Sequence, residues 1–178
     1  MKRSYIVQLI IDAVVILLGL CNYIFPIATT LNPNSTFCLM LGLYAGLELC
    51  EYIFDRSRKE PLYIFFASAT AAFSAYFLRE YSANYVLSIT IAVWVLMSAI
   101  IKLISLEEIF EKKTHLFLIR LTAMSVTVLI GILVSINLYY RLSSIGYMLG
   151  FLLMSYGVIE MTCDFLTYLS ENIKFLKE

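Results

Sequence analysis

Residues 5–25 read YIVQLIIDAVVILLGLCNYIF, and this run decides the fold. A helix of about 20 apolar residues crosses the hydrocarbon core of a bilayer. The run is too long for the core of a secretory signal. It ends at Pro26 without a small-x-small cleavage site, so it is expected to be a retained first helix. It carries thirteen Leu, Ile, Val or Phe residues. Each favours insertion by roughly 0.3–0.6 kcal/mol, against a cost of roughly 2.5–3.5 kcal/mol for a central charge. The helix can therefore carry Asp12, but tolerance does not explain why an acid stands there.

The rest of the chain repeats the pattern. Spans are expected at 5–25, 36–54, 61–78, 85–105, 116–138 and 145–169. Hydrophobic residues make up 61% of the 178 and charged residues 15%, against roughly 45–50% and 25% in soluble domains. Mean hydropathy is +0.86. A soluble fold of this length cannot hide so much apolar surface. The fold class is therefore all-α, a polytopic transmembrane six-helix bundle forming a single integral membrane domain over 1–178. The runs are too continuous for the alternation of a membrane barrel. Turn chemistry separates them at Pro26, at 32–35 (NPNS), at 55–61 (DRSRKEP), at 79–82 (REYS) and at 140–144 (YRLSS). The polar link from Glu107 to His115 is expected to prolong the fourth helix beyond the bilayer.

Lys and Arg set orientation. One side of the bilayer holds Lys2, Arg3, Arg56, Arg58, Lys59, Lys112, Lys113, Lys174 and Lys177; the other holds Arg79 and Arg141. Both termini are expected in the cytoplasm, with the protein integral to a membrane, the bacterial cytoplasmic membrane being the expected one. Formal net charge is zero, so no global field draws nucleic acid. Tyr5, Tyr23, Tyr52, Tyr63, Tyr81, Tyr85, Tyr139 and Tyr140 fall near span ends, as interfacial anchors do.

The spans group into three hairpins, at about 5–54, 61–105 and 116–169. Gly19 has a counterpart 112 residues on in Gly131, and Glu51 one 113 residues on in Asp164. Ser98 and Lys102 have the same spacing as Glu160 and Asp164. Near-constant offsets suggest a repeat. Two spans per unit make the three copies parallel, unlike the inverted repeats of many transporters.

The first helix ends in LLGLCNYIFP (17–26), and the second reads LMLGLYAGLELCEYIF (39–54). With three two-helix units, these stretches resemble the HdeD-type family of small bacterial membrane proteins. The resemblance runs from about residue 5 to 170. It implies a role in stress or membrane homeostasis, with an association with acid stress in enteric bacteria and no defined reaction. The third helix, YIFFASATAAFSAYFLRE (63–80), departs from the family pattern in lacking both its glycine and its proline.

Seven charges fall in or at the edge of the cytoplasmic half: Asp12, Glu48, Glu51, Lys102, Arg120, Glu160 and Asp164. Glu48 and Glu51 share a helix face, as do Glu160 and Asp164. Intramembrane charges mark function by default. The plainer reading is structural, with residues near helix ends snorkelling to headgroups and ion pairs such as Asp12 with Arg120 or Lys102 with Asp164. Five acids meet two bases, however, so some carboxyls lack a partner if all seven face inward. Such carboxyls can bind and release protons or hold a cation.

Gly42-x3-Gly46 and Gly146-x3-Gly150 match the close-packing motif of membrane helices, and residues 67–75 (ASATAAFSA) offer a smooth small-residue surface. These are expected to pack helices within one chain, a homo-oligomer contact being the alternative. Cys21, Cys38, Cys50 and Cys163 lack metal-site spacing; Cys21 and Cys38 could face each other across the first hairpin. His115 is the sole histidine, and no metalloprotease, nucleophile-elbow or phosphate-loop motif occurs. No enzyme activity, cofactor or metal is expected. Three functional readings follow: the HdeD-type stress or homeostasis role, a proton or small-cation channel or carrier using the carboxylates, and a non-catalytic subunit binding a membrane partner. The bilayer itself is the one expected partner common to all three.

Overall fold

A computed structural model describes residues 2–25, 33–56, 58–78, 83–110, 114–140, 142 and 144–175. The expected turn residues at 26–32 and 79–82, with Lys112, Lys113, Arg141 and Ser143, lie outside the described residues, as does Lys177. Six helices follow in order: α1 (Lys2–Ile24), α2 (Pro33–Phe54), α3 (Glu60–Phe77), α4 (Ala83–Phe110), α5 (Thr114–Tyr140) and α6 (Ile145–Phe175). No strand occurs among the described residues. As expected, α4 runs on through the first residues of the 107–115 link.

Five helices are long and apolar enough to cross a membrane, over Ile6–Ile24, Ser35–Phe54, Tyr85–Ser105, Leu116–Tyr140 and Gly146–Leu169. The expected third span falls short of that standard. α3 has 18 residues, about 27 Å at 1.5 Å per residue. Glu60 and Pro61 occupy its first turn, and Ala, Ser and Thr stand where branched apolar residues fill the other helices. Pro61 suits that first turn, where its missing N–H is no loss.

The small residues of α3 do what a smooth surface allows. Ile64, Ser68, Ala71, Ala72 and Ala75 form its buried face, while Phe66, Phe73 and Phe77 point outward. The helices form a ring in which α1 packs along α6, α2 along α3 and α4 along α5. Contacts of α5 with α6, α3 with α4 and, most thinly, α1 with α2 complete it. Helices of one expected hairpin thus pack less on each other than on the next hairpin. The starts of α1, α3 and α5 and the ends of α2, α4 and α6 share one end of the bundle, called the inner end for its cluster of charges.

The core is apolar as in a soluble protein, but the exterior is apolar too and several polar side chains are buried. Ile10, Leu17, Val93, Ile104, Leu129 and Leu133 are exposed, whereas Asn22, Ser68, Ser98 and Glu48 are buried. An apolar exterior over five long helices is a membrane-embedded surface. Tyr23, Tyr63, Tyr85, Tyr139 and Tyr140 are exposed near helix ends. All four cysteines are free, so Cys21 and Cys38 form no disulfide.

The two glycine pairs part company. A Cβ on Gly150 would lie 2.6 Å from the Tyr23 backbone nitrogen and 2.8 Å from the Gly19 carbonyl oxygen. Glycine lets α1 and α6 meet backbone to backbone there. Gly146 is buried, and its carbonyl accepts a 3.0 Å hydrogen bond from Asn22 Nδ2. Gly42 and Gly46 do not pack within the chain as expected: both are exposed, and a Cβ on either would meet nothing within 4 Å. The buried stripe of α2 is Phe37, Met40, Leu41, Tyr44, Ala45 and Glu48, which turns its glycines outward. Gly131 packs instead on Val95 of α4, and Gly157 on Ile16 of α1.

Candidate functional site

All seven charges singled out from the sequence line one cavity at the inner half of the bundle. Asp12 comes from α1, Glu48 and Glu51 from α2, Lys102 from α4, Arg120 from α5, and Glu160 and Asp164 from α6. The cavity measures about 40 Å³, room for about three water molecules. Periodicity explains the convergence. Glu48 extends the buried stripe of α2 one turn beyond Tyr44, and Glu160 stands one turn beyond Tyr156 on α6.

The pairings differ from those expected. Lys102 pairs with Glu160 rather than Asp164. Arg120 Nη2 lies 3.5 Å from Asp164 Oδ1 and donates to Thr167 Oγ1 at 3.3 Å, not to Asp12. One turn of helix separates Glu160 from Asp164, and the axial register of α4 and α5 against α6 decides which acid each base meets.

Among the lining residues not singled out from sequence, three are charged or carry an amide: Gln8, Arg58 and Glu60. Gln8 Nε2 donates to Glu51 Oε1 at 2.9 Å. Arg58 bridges Glu51 at 3.2 Å and Glu60 at 3.3 Å. The link after α2 aims it: Asp55 N–H donates to Glu51 O and Arg58 N–H to Asp55 O, so the chain folds back over the helix end. Burial opposes the Arg58 charge, but the Glu60 and Glu51 carboxylates outweigh it and hold the guanidinium above its ordinary pKa. The signal was present as a basic residue seven positions after Glu51, yet it read as an orientation charge.

Six carboxyls and three bases therefore line the cavity. Four carboxyls are ion-paired: Glu51, Glu60, Glu160 and Asp164. Among the described residues Asp12 and Glu48 have no ion-pair partner, and Asp12 Oδ2 has no hydrogen-bond partner either. Glu48 is 7% exposed. No set of three or more His, Cys, Asp or Glu among the described residues is arranged to hold a metal ion.

Tyr44 and Tyr156 line the cavity on the side of the outer half, and Trp94 packs against both to make an aromatic triad. Tyr44, Trp94 and Tyr156 come from α2, α4 and α6, and each is the twelfth residue of its helix. Ring centroids stand 5.9, 5.7 and 5.5 Å apart around the triangle. Tyr44 Oη donates to Tyr156 Oη at 3.0 Å, and Trp94 Nε1 donates to Ser68 Oγ of α3 at 2.9 Å. All three residues are buried. Buried Tyr and Trp keep their polar atoms paired, and here that pairing locks the rings across four helices. The triad was missed in the sequence, although each ring stands four residues before Glu48, Ser98 or Glu160.

The arrangement is an acid-rich chamber bordered by the hydrogen-bonded Tyr44 and Tyr156. No family model, no curated protein and no solved structure matches this chain, so none of these comparisons identifies it as HdeD-type.

Proposed function

We propose that this protein is a small membrane carrier of protons or small cations. The acidic cavity is its binding site and the aromatic triad its barrier. One observation carries the reading: Asp12 and Glu48 face a cavity of about 40 Å³ without ion-pair partners, while the other four carboxyls are paired. With six acids to three bases, the chamber has a surplus of three negative charges when every group is ionised. Buried charge without a partner is costly and is neutralised by a proton or counter-ion. The occupant is thus a cation, and the small volume limits it to protons or ions with little hydration. In this reading the chamber opens to the cytoplasm, where the Lys and Arg bias puts both termini, and α3 completes the bundle as a sixth crossing helix.

The test is flux into proteoliposomes under imposed pH, Na⁺ or K⁺ gradients, comparing the native chain with Asp12→Asn/Glu48→Gln. The carrier predicts native flux above empty vesicles, and its loss in a variant that stays folded. Native flux equal to empty vesicles under every gradient rejects it.

A second reading has its own support. The ion pairs tie the α2–α3 link to α2 and α3, α4 to α6, and α5 to α6. A charge cluster of that kind suits a non-transporting protein of HdeD type in stress or membrane homeostasis. It predicts that the double variant changes stability while no flux exists to lose. The exposed Gly42 and Gly46 favour a third reading, a subunit that binds a membrane partner or a second copy, which predicts co-purification.

A further inference from the structure

Lys102 is placed unlike the other two bases of the chamber. Its ammonium is held by the Glu160 carboxylate and also lies 4.6 Å from the centroid of the Tyr156 ring. A carboxylate beside an aromatic face is a seat for a cation: the ring quadrupole and the anion attract the same charge from two directions. Arg58 and Arg120 have carboxylate or hydroxyl partners and no such ring contact among the described residues.

The position of that seat matters as well. A second cavity of about 20 Å³ lies beside the first, and Lys102, Glu160, Arg120 and Glu60 line both. The Lys102–Glu160 pair therefore stands where the two chambers meet. The side chain of Lys102 is 12% exposed and that of Glu160 is 25% exposed, so the lysine is the more enclosed of the two. Asp12 and Glu48, the carboxyls without ion pairs, line the same chamber as the Lys102 ammonium.

We propose that Lys102 is a tethered occupant of a cation seat, formed by Glu160 and the Tyr156 ring, whose free ligand is a small primary ammonium ion. The inference rests on the carrier reading and names its ligand class. A free ammonium ion takes the seat by displacing Lys102, which then swings to Asp12 or Glu48. One cation is thereby exchanged for another at Glu160, and an unpaired carboxyl gains a partner. The tether keeps the seat filled when no ligand is bound, so the two chambers stay separate. Only non-covalent contacts change.

Removing the tether exposes the seat. Native protein, Lys102→Ala and Lys102→Ala/Glu160→Gln are purified in detergent and melted in methylammonium chloride or in sodium chloride of equal ionic strength. Lys102→Ala melts lower than native in sodium and regains several degrees in methylammonium. The double variant shows no methylammonium-specific rise, and native protein shows a smaller rise at higher concentration because the tether competes. If Lys102→Ala is not recovered folded from sodium medium, its recovery as a monodisperse peak is compared after expression and solubilisation in either salt. Methylammonium-dependent recovery supports the seat. Equal behaviour of Lys102→Ala in both salts, or an equal rise in the double variant, overturns it. Native vesicles that carry no flux under pH, Na⁺, K⁺ or methylammonium gradients, alongside a methylammonium-selective rescue, would remove the carrier and leave the seat. Flux without rescue would do the reverse.

Discussion

The inner and outer halves of the bundle are held by different means. In the outer half α1 and α6 meet through Gly19 and Gly150 with backbone against backbone, and Asn22 reaches the Gly146 carbonyl. The inner half keeps a cavity open among ion pairs. Membrane helices gain little from apolar association with each other, so close packing and polar contacts must supply the energy. The outer half adds close backbone packing of α1 on α6 to its polar contacts. The inner half uses polar contacts and leaves two carboxyls over. Rigidity and binding capacity are thus divided along the membrane normal, with Tyr44, Trp94 and Tyr156 at the boundary.

The boundary should give the largest effect. Trp94→Ala removes the largest fully buried side chain and leaves Ser68 without its donor. The expected loss is about 3–5 kcal/mol, read from chemical unfolding in detergent, together with a passive ion leak in vesicles. A tight, stable Trp94→Ala would erase the distinction between the halves. Breaking one inner ion pair comes next. Arg120→Ala strands Asp164 and should cost about 3 kcal/mol, whereas Arg120→Met/Asp164→Leu should restore most of it because the charges leave together. A double variant no better than the single would mean that the pair, rather than the orphaned charge, matters.

Outer-half packing is sharpened by Gly150→Ala. The added methyl meets backbone atoms of Tyr23 and Gly19, so α1 and α6 must separate, at about 1–3 kcal/mol. Gly46→Ala is the smallest effect. Its methyl enters open space, and the change should stay within about 0.5 kcal/mol. A melting curve for the two glycine variants side by side tests whether one sequence pattern has two fates. Gly46→Ala as damaging as Gly150→Ala would point to a contact with another chain.

Those glycines also mark where the sequence stops being informative. Run length and hydropathy sufficed for the helices because the bilayer sets a fixed length. Charge depth sufficed to gather Asp12, Glu48, Glu51, Lys102, Arg120, Glu160 and Asp164 in one layer. Which glycine pair faces a neighbour depends on the rotation of each helix, and the buried stripe of α2 through Tyr44 and Glu48 decides it. Which acid Lys102 meets depends on axial register, a one-turn choice between Glu160 and Asp164 that pattern alone leaves open. Arg58 and Glu60 were hidden because both fall between the expected spans, Arg58 in the link after α2 and Glu60 at the first residue of α3. α3 shows the converse: its small residues were legible as a packing surface, and that same smallness lowers its hydropathy below its neighbours'.

In the proposed carrier, Asp12 and Glu48 exchange protons or cations inside the inner half. Infrared difference spectroscopy of reconstituted protein, stepped in pH and in cation concentration, reads the protonated-carboxyl stretch directly. The expected result is a carboxyl band in the native difference spectrum that is lost in Asp12→Asn/Glu48→Gln while the amide bands stay unchanged. Identical carboxyl difference spectra in native and variant protein would contradict it.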